Sequence, residues 1–243
     1  MRDPQAEENR RRARTLLAGC AGVIALVVLV VLAVIGLPLV GLVVGIAAGA
    51  GVVAFASSRS DQAALRKAGA VASRPEDHPR FHNVVEGLCV AAGVSKPTLY
   101  VVDDAAMNAM SVGRAAHEAS LVATTGLLDG LTRIELEGIV AHELSHIRQL
   151  DILPATLAVT LLGPIAPGLV PRVVAPRRES LADVTGVSLT RYPPGLISAL
   201  EKVRDAPELR SSDRAIAHLW IEAPAVPTDH PPLDERIQAL REL

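Results

Sequence analysis

His142, Glu143 and His146 stand in the run His142-Glu143-Leu144-Ser145-His146. Two imidazoles four residues apart on an α-helix share one face, one turn apart. Nitrogens placed this way can hold one Zn²⁺ at ~2.0–2.1 Å each. A Glu next to the first His can reach water activated there and act as general base, the H-E-x-x-H arrangement. Catalytic zinc takes three protein ligands and keeps one position open, so a third ligand must come from elsewhere in the chain. Cys20 and Cys89 have no metal spacing. One lies in an apolar run and the other in a polar segment, so they are not expected to pair, and a reducing compartment is the simplest reading. Glu179, in Arg178-Glu179-Ser180-Leu181-Ala182-Asp183, is the leading candidate. Glu179 and Asp183 are a helical turn apart, which lets one carboxylate ligate while the other orients a ligand imidazole. Taken alone, such a pair on a helix is usually a solvated acidic face.

The helix carrying His142 and His146 announces its own start. Thr132 followed by Glu135 is a capping box, and Leu131 with Leu136 can form the hydrophobic staple. Ile139, Val140, Leu144 and Ile147 give it an apolar side as far as about Gln149. Upstream, Pro79–Ala92 has helical spacing and a stop at Gly93. Thr98–Val102, Ser120–Thr124 and, more weakly, Ala109–Val112 read as strands. Further helices are expected near Ser57–Ser73, Glu179–Thr190, Gly195–Asp205, Ser212–Ile221 and Leu233–Leu240. The expected fold class is α+β, mainly helical, with a small β-sheet.

From Leu16 to Ala56 there is no charged residue. One span needs ~20 apolar residues, so this run suits two, about 16–35 and 40–56, broken at Gly36-Leu37-Pro38. Arg10, Arg11, Arg12 and Arg14 precede the first span, and Arg59, Arg66 and Lys67 follow the second. The positive-inside rule then puts both ends on the cytoplasmic side of a cell membrane, as a multi-pass anchor. A cleaved signal peptide fits less well, because the apolar run is long and continues into a second span. Gly41, Gly45 and Gly49 form a small-residue face that could let another helix approach, including one from a second copy. The expected organisation is a basic N-terminus (1–15), a two-helix anchor (16–56) and a catalytic domain (57–243). The formal net charge of −2 gives no reason to expect a nucleic-acid partner.

Five ordered blocks resemble the HtpX-like family of membrane zinc metallopeptidases, relatives of the CAAX prenyl proteases. They are Asn108–Gly113, Thr124–Leu128, His142–His146, Glu179–Asp183 and His230–Ile237. The hairpin anchor matches as well. The resemblance implies a zincin-type domain with one Zn²⁺ per chain, held by His142, His146 and Glu179, and Glu143 as catalytic base. Asp183 would support a ligand histidine, and Asn108-Ala109 would lie on a strand edge beside the substrate. His230 and Arg236 would sit near the active centre. Asp229 stands where family members commonly have Thr. Larger members also carry a second transmembrane pair between the two zinc-binding helices. Here Ile152–Pro176 is short and broken by Pro154, Pro164, Pro167 and Pro171. Two crossings do not fit, and one would put Glu179 across the membrane from His142. The segment is expected to dip into the interface, to shield the cleft, or to be ordinary buried core.

The expected activity is hydrolysis of polypeptide substrates that pair in extended form with the strand near Asn108–Val112. Membrane proteins, in quality control, are the substrate class the resemblance implies. The competing expectation is an inactive membrane scaffold or regulator that keeps the fold.

Overall fold

The computed structural model describes residues 3–174, 177–210, 213–223 and 231–243. Two long helices open the chain, α1 (Pro4–Val34) and α2 (Pro38–Lys67), joined at Gly36, whose φ of 84° suits a residue without Cβ. Both are long and apolar enough to cross a membrane, and Val23, Val27, Val31, Leu39 and Val43 are exposed along them. Such surfaces imply a lipid bilayer. The helices overrun the apolar stretch at both ends. Asp3 caps α1, accepting from the Gln5 amide at 2.9 Å, so the basic segment is its first turns. Of the helix expected at 57–73, only 57–67 forms, as the continuation of α2; Gly69 turns the chain with φ 66°, and Val71–Ala72 is a strand instead.

Gly41, Gly45 and Gly49 are buried against α1. A Cβ at Gly45 would lie 2.6 Å from the Ala25 carbonyl oxygen, and one at Gly49 2.8 Å from that of Ala21. The close helix approach expected of these glycines is therefore made inside the hairpin, and this face is not open to a second copy.

The remainder is α+β and mainly helical. A four-stranded sheet runs β1-β2-β4-β3, with β1 (Val71–Ala72), β2 (Thr98–Val102), β3 (Ala109–Val112) and β4 (Ser120–Thr124). β2 and β4 are parallel, and β3 pairs antiparallel to β4 with Ala109 opposite Ala123. Period-two alternation splits the sheet between two cores. Leu99, Val101, Ala109 and Leu121 face one side with α3 (Pro79–Ala92) and α5 (Arg133–Gln149). Met110, Val112 and Val122 face the other, with Ala64 and Leu65 of α2 and Ala155 and Val159 of α6 (Ile152–Leu161). β2, β3 and β4, α3 and α5 have the bounds their patterns predict. α4 (Thr125–Gly130) and β1 were not anticipated, being too short to show a period.

After α6 come a short α7 (Val170–Val173), α8 (Arg178–Thr190), α9 (Pro193–Asp205) and α10 (Leu233–Arg241). Ile152–Leu161 belongs to the core, wedged between the hairpin and β3. Leu157 and Leu161 are buried against Ala13 of α1 and Ala56 of α2. The helix expected at Ser212–Ile221 is not formed over its described residues. Asp213 accepts from the Ala215 amide at 2.8 Å to set a turn, Ala217–Leu219 makes one 3₁₀ turn, and Trp220 bridges Met110. Ala215, Ile216, Leu219, Trp220 and Ile221 are all buried. Burial on every side removes the one-faced pattern that an amphipathic helix needs.

Candidate metal centre

α5 begins with the complete capping box. Thr132 Oγ1 accepts from the Glu135 amide at 3.4 Å, and Glu135 accepts from the Thr132 amide at 2.7 Å. Glu135 also accepts from Ser198 at 2.6 Å and Lys202 at 2.7 Å, which ties α5 to α9. Burial alone would raise its pKa; these hydrogen bonds outweigh that and hold it at about 2. With its start fixed, the helix delivers His142, Glu143 and His146 into the interior, each nearly free of solvent exposure.

α8 crosses α5 at Gly186, where a Cβ would lie 2.9 Å from the His142 amide nitrogen. Only a glycine allows so close an approach, and it brings Glu179 and Asp183, on the same face of α8, onto the histidines. His142 Nε2 lies 3.1 Å from His146 Nε2 and 3.3 Å from Glu179 Oε2, and His146 Nε2 lies 3.6 Å from Glu179 Oε1. Both Nδ1 atoms are turned away, His142 to Asp183 at 2.8 Å and His146 to Asp151 at 2.8 Å. Those carboxylates fix the Nδ1–H tautomers and leave both Nε2 lone pairs aimed at one point.

The donor set fits a tetrahedral cation. Bonds of ~2.0–2.1 Å put neighbouring ligand atoms of four-coordinate zinc ~3.3 Å apart, and the three observed separations bracket that value. Electrostatics agree. Burial acts to lower the pKa of His146, but the charges of Asp151 and Glu179 outweigh it and lift the ring to about 10. The pocket favours positive charge between these groups.

Around the donors lies a second ring of polar groups. Arg236 donates to both oxygens of Asp183 at 2.8 Å, and its Nη1 lies 3.3 Å from Glu179 Oε2. Burial would raise the pKa of Asp183; Arg236, then His142, outweigh it and keep it at about 2. Arg178 donates to Glu179 Oε1 at 2.8 Å. Ser111, on the α5 side of β3, donates to Glu143 Oε2 at 2.6 Å.

The structure thus brings together His142, His146, Glu179, Glu143, Asp183 and Arg236, while His230 lies outside the described residues. Asn108 is nearby but engaged elsewhere. Its amide nitrogen donates to the Glu222 carbonyl at 2.7 Å, and its Oδ1 accepts from the Glu222 amide at 3.2 Å. The Ile221 amide donates to the Ala109 carbonyl at 2.9 Å. The edge of β3, expected to face substrate, therefore carries Trp220–Glu222 as a strap. Sequence reasoning passed over Ser111, Asp151 and Arg178. Ser111 was findable, since alternation puts it on the face of Ala109, toward α5. Asp151 was not, because it reaches His146 only after Leu150 turns the chain through a left-handed residue, φ 56°.

Residues 75–166, from just before α3 to just past α6, match Peptidase family M48. A Protease HtpX homolog of Thermoanaerobacter pseudethanolicus is 34% identical over 239 residues, covering 78% of this chain and 80% of the relative. One from Caldanaerobacter subterraneus subsp. tengcongensis is 35% identical over 239 residues with the same coverage. Another, from Tropheryma whipplei, is 35% identical over 230 residues, 76% of this chain and 79% of the relative. No solved structure is matched at a significant level. Similarity over most of both chains, with the His-His-Glu cluster on the elements the blocks predicted, decides the matter: the chain belongs to Peptidase family M48 and is an HtpX-like member of it.

Proposed function

We propose that this chain is a membrane-anchored, zinc-dependent endopeptidase. Residues 16–56 serve as its anchor, and residues 57–243 form a peptidase domain at the cytoplasmic face. His142, His146 and Glu179 are the metal ligands and Glu143 is the base. The carrying observation is the convergence of two Nε2 atoms and a carboxylate within 4.8 Å of one another in a buried site. A zinc ion bound there supplies Lewis acidity toward the scissile carbonyl and the attacking water. Glu143 takes the proton from that water and passes it to the departing amine nitrogen. Ser111 fixes the carboxylate's direction. Asp183 and Asp151 keep the two imidazoles in the ligating tautomer, Arg236 holds Asp183 ionised, and Arg178 orients Glu179 through its hydrogen bond. Substrates are polypeptides that bind in extended form along β3. The names of the relatives support proteolysis, and the anchor supports membrane proteins as the substrate class, in quality control.

The test is metal analysis and casein cleavage on purified full-length protein, wild type beside Glu143→Gln. Wild type should carry one zinc and cleave, while the variant keeps the metal and loses ~10²–10⁴-fold in rate. Wild type without zinc and no faster than the variant would leave the inactive scaffold as the reading. A reporter fused after residue 60 tests sidedness. Activity of a reporter that works only outside the cytoplasm would reverse the assignment.

A further inference from the structure

We infer that the chain carries a binding site for one anionic glycerophospholipid, at the membrane edge of the peptidase domain. A groove of about 730 Å³ runs between α1 and the segment that ends α6, walled by Leu16, Gly19, Ile24, Leu162 and Ile165. That volume is in the range of small-molecule sites, ~300–1,000 Å³. Its lining is apolar except at one end, where Arg11, Arg12 and Thr15 lie. From Arg12 to Ile24 the helix rises ~18 Å at 1.5 Å per residue, close to the ~15 Å of one hydrocarbon leaflet. The groove is thus as long as an acyl chain in its leaflet, with guanidinium groups at headgroup level.

Two further features point to an anion at the basic end. Arg11 has no ion-pair partner among the described residues, whereas Arg10 and Arg12 pair with Glu7 and Glu8. Arg12 is also shared with a polar pocket of about 220 Å³ that includes Arg177 and Arg178. Nη1 of Arg178 is buried there without a hydrogen-bond partner among the described residues. The carboxylates in this pocket are spoken for, Glu8 by Arg12 and Asp151 by His146. A phosphodiester between Arg11 and Arg12, its headgroup turned toward Arg177 and Arg178, meets these charges with its acyl chain in the groove. A neutral chain or a transmembrane segment of a protein would fill the groove but leave Arg11 and Nη1 of Arg178 without an anion.

The site needs the bilayer that α1 and α2 imply and does not depend on the metal. Full-length protein is placed in nanodiscs of equimolar phosphatidylglycerol and phosphatidylcholine, then released for native mass spectrometry of the lipid it retains. Wild type should keep phosphatidylglycerol over phosphatidylcholine by roughly tenfold, as expected of two juxtamembrane arginines. Arg11→Gln with Arg12→Gln should bring the ratio near parity. Gly19→Phe should lower total retained lipid severalfold, since nothing lies within 4 Å of a Cβ at Gly19 and the ring can enter the groove. Equal retention of the two lipids by wild type overturns the proposal, as does a co-purifying polypeptide in place of lipid. Retention that neither variant changes does the same. The readout is lipid mass, so a failed lipid site and a failed peptidase reading are told apart.

Discussion

Asp183 is an acceptor shared by an imidazole and a guanidinium. His142 presents Nδ1 to one of its oxygens and Arg236 forks onto both. An ionised carboxylate here keeps the His142 proton on Nδ1 and so keeps Nε2 free to ligate. Asp183→Asn preserves the shape but removes the charge that makes the tautomer certain. We predict zinc affinity lower by ~10–100-fold, the usual cost of losing such a partner, measured by competition with a chromophoric chelator. Unchanged affinity would reduce Asp183 to a packing role. Arg236, one of two residues whose place near the centre rested on the resemblance alone, contacts Asp183 and Glu179. Its position in a late block gave no hint of this, because the pairing spans more than fifty residues of chain and exists only after α10 docks.

At the level of elements, the crossing of α5 and α8 decides whether a site exists. In a helix, Gly→Ala ordinarily stabilises by ~0.5–1 kcal/mol. At Gly186 the new methyl would meet the backbone of His142 and Ala141, and overpacking costs ~1–3 kcal/mol. The clash wins, so Gly186→Ala should lower the melting temperature and weaken zinc binding together. Gly87→Ala is the control. It lies in α3 with nothing within 4 Å of its Cβ and should be neutral or slightly stabilising. The cap of α5 makes a second prediction. Glu135 is held at about 2 against an ordinary 4.5, so its contribution is complete above pH ~4.5 and lost as pH falls toward ~2, by roughly 1–3 kcal/mol. Denaturant unfolding from pH 6 down to pH 3 should show that slope in wild type and a flatter one in Glu135→Gln.

The same elements show what was legible in advance. α5 was readable because its start signal, the Thr132–Glu135 capping box, is local in the chain. Ser212–Ile221 misled because its apolar residues, spaced as on a helix, answer two cores, Ala215, Ile216, Leu219 and Trp220 in one and Ile221 in the other. Ile152–Leu161 left three readings open because a helix apolar on all sides carries no period to say what it faces.

Considered whole, the molecule is a hairpin and a peptidase-like body locked at one joint. Asn9 donates to the Gln149 carbonyl at 3.0 Å, just past His146, and Arg114 donates to the Ser57 carbonyl. α6 fills the space between, and Asp151 at its foot holds His146. A chain lacking residues 1–57 would expose Leu157 and Leu161 and lose these bonds. We predict that it aggregates or melts well below the full chain, and that its zinc affinity falls although no ligand is deleted. A truncated domain with full-length zinc affinity would show the joint to be mechanical only.

The strap of Trp220–Glu222 has a kinetic consequence. Since it already bonds to Asn108 and Ala109, a substrate bound along β3 as proposed would gain this stretch of the edge by strand exchange rather than by simple addition. The incumbent belongs to the same molecule, and Trp220 and Ile221 are buried, so vacating the edge costs their burial as well as the bonds. Only a guest that extends over several residues, and so replaces several bonds at once, can win that exchange. Folded proteins rarely offer such stretches, whereas unfolded ones offer many. Discrimination between the two would then reside in the cost of vacating the edge, with no pocket needed to read side chains.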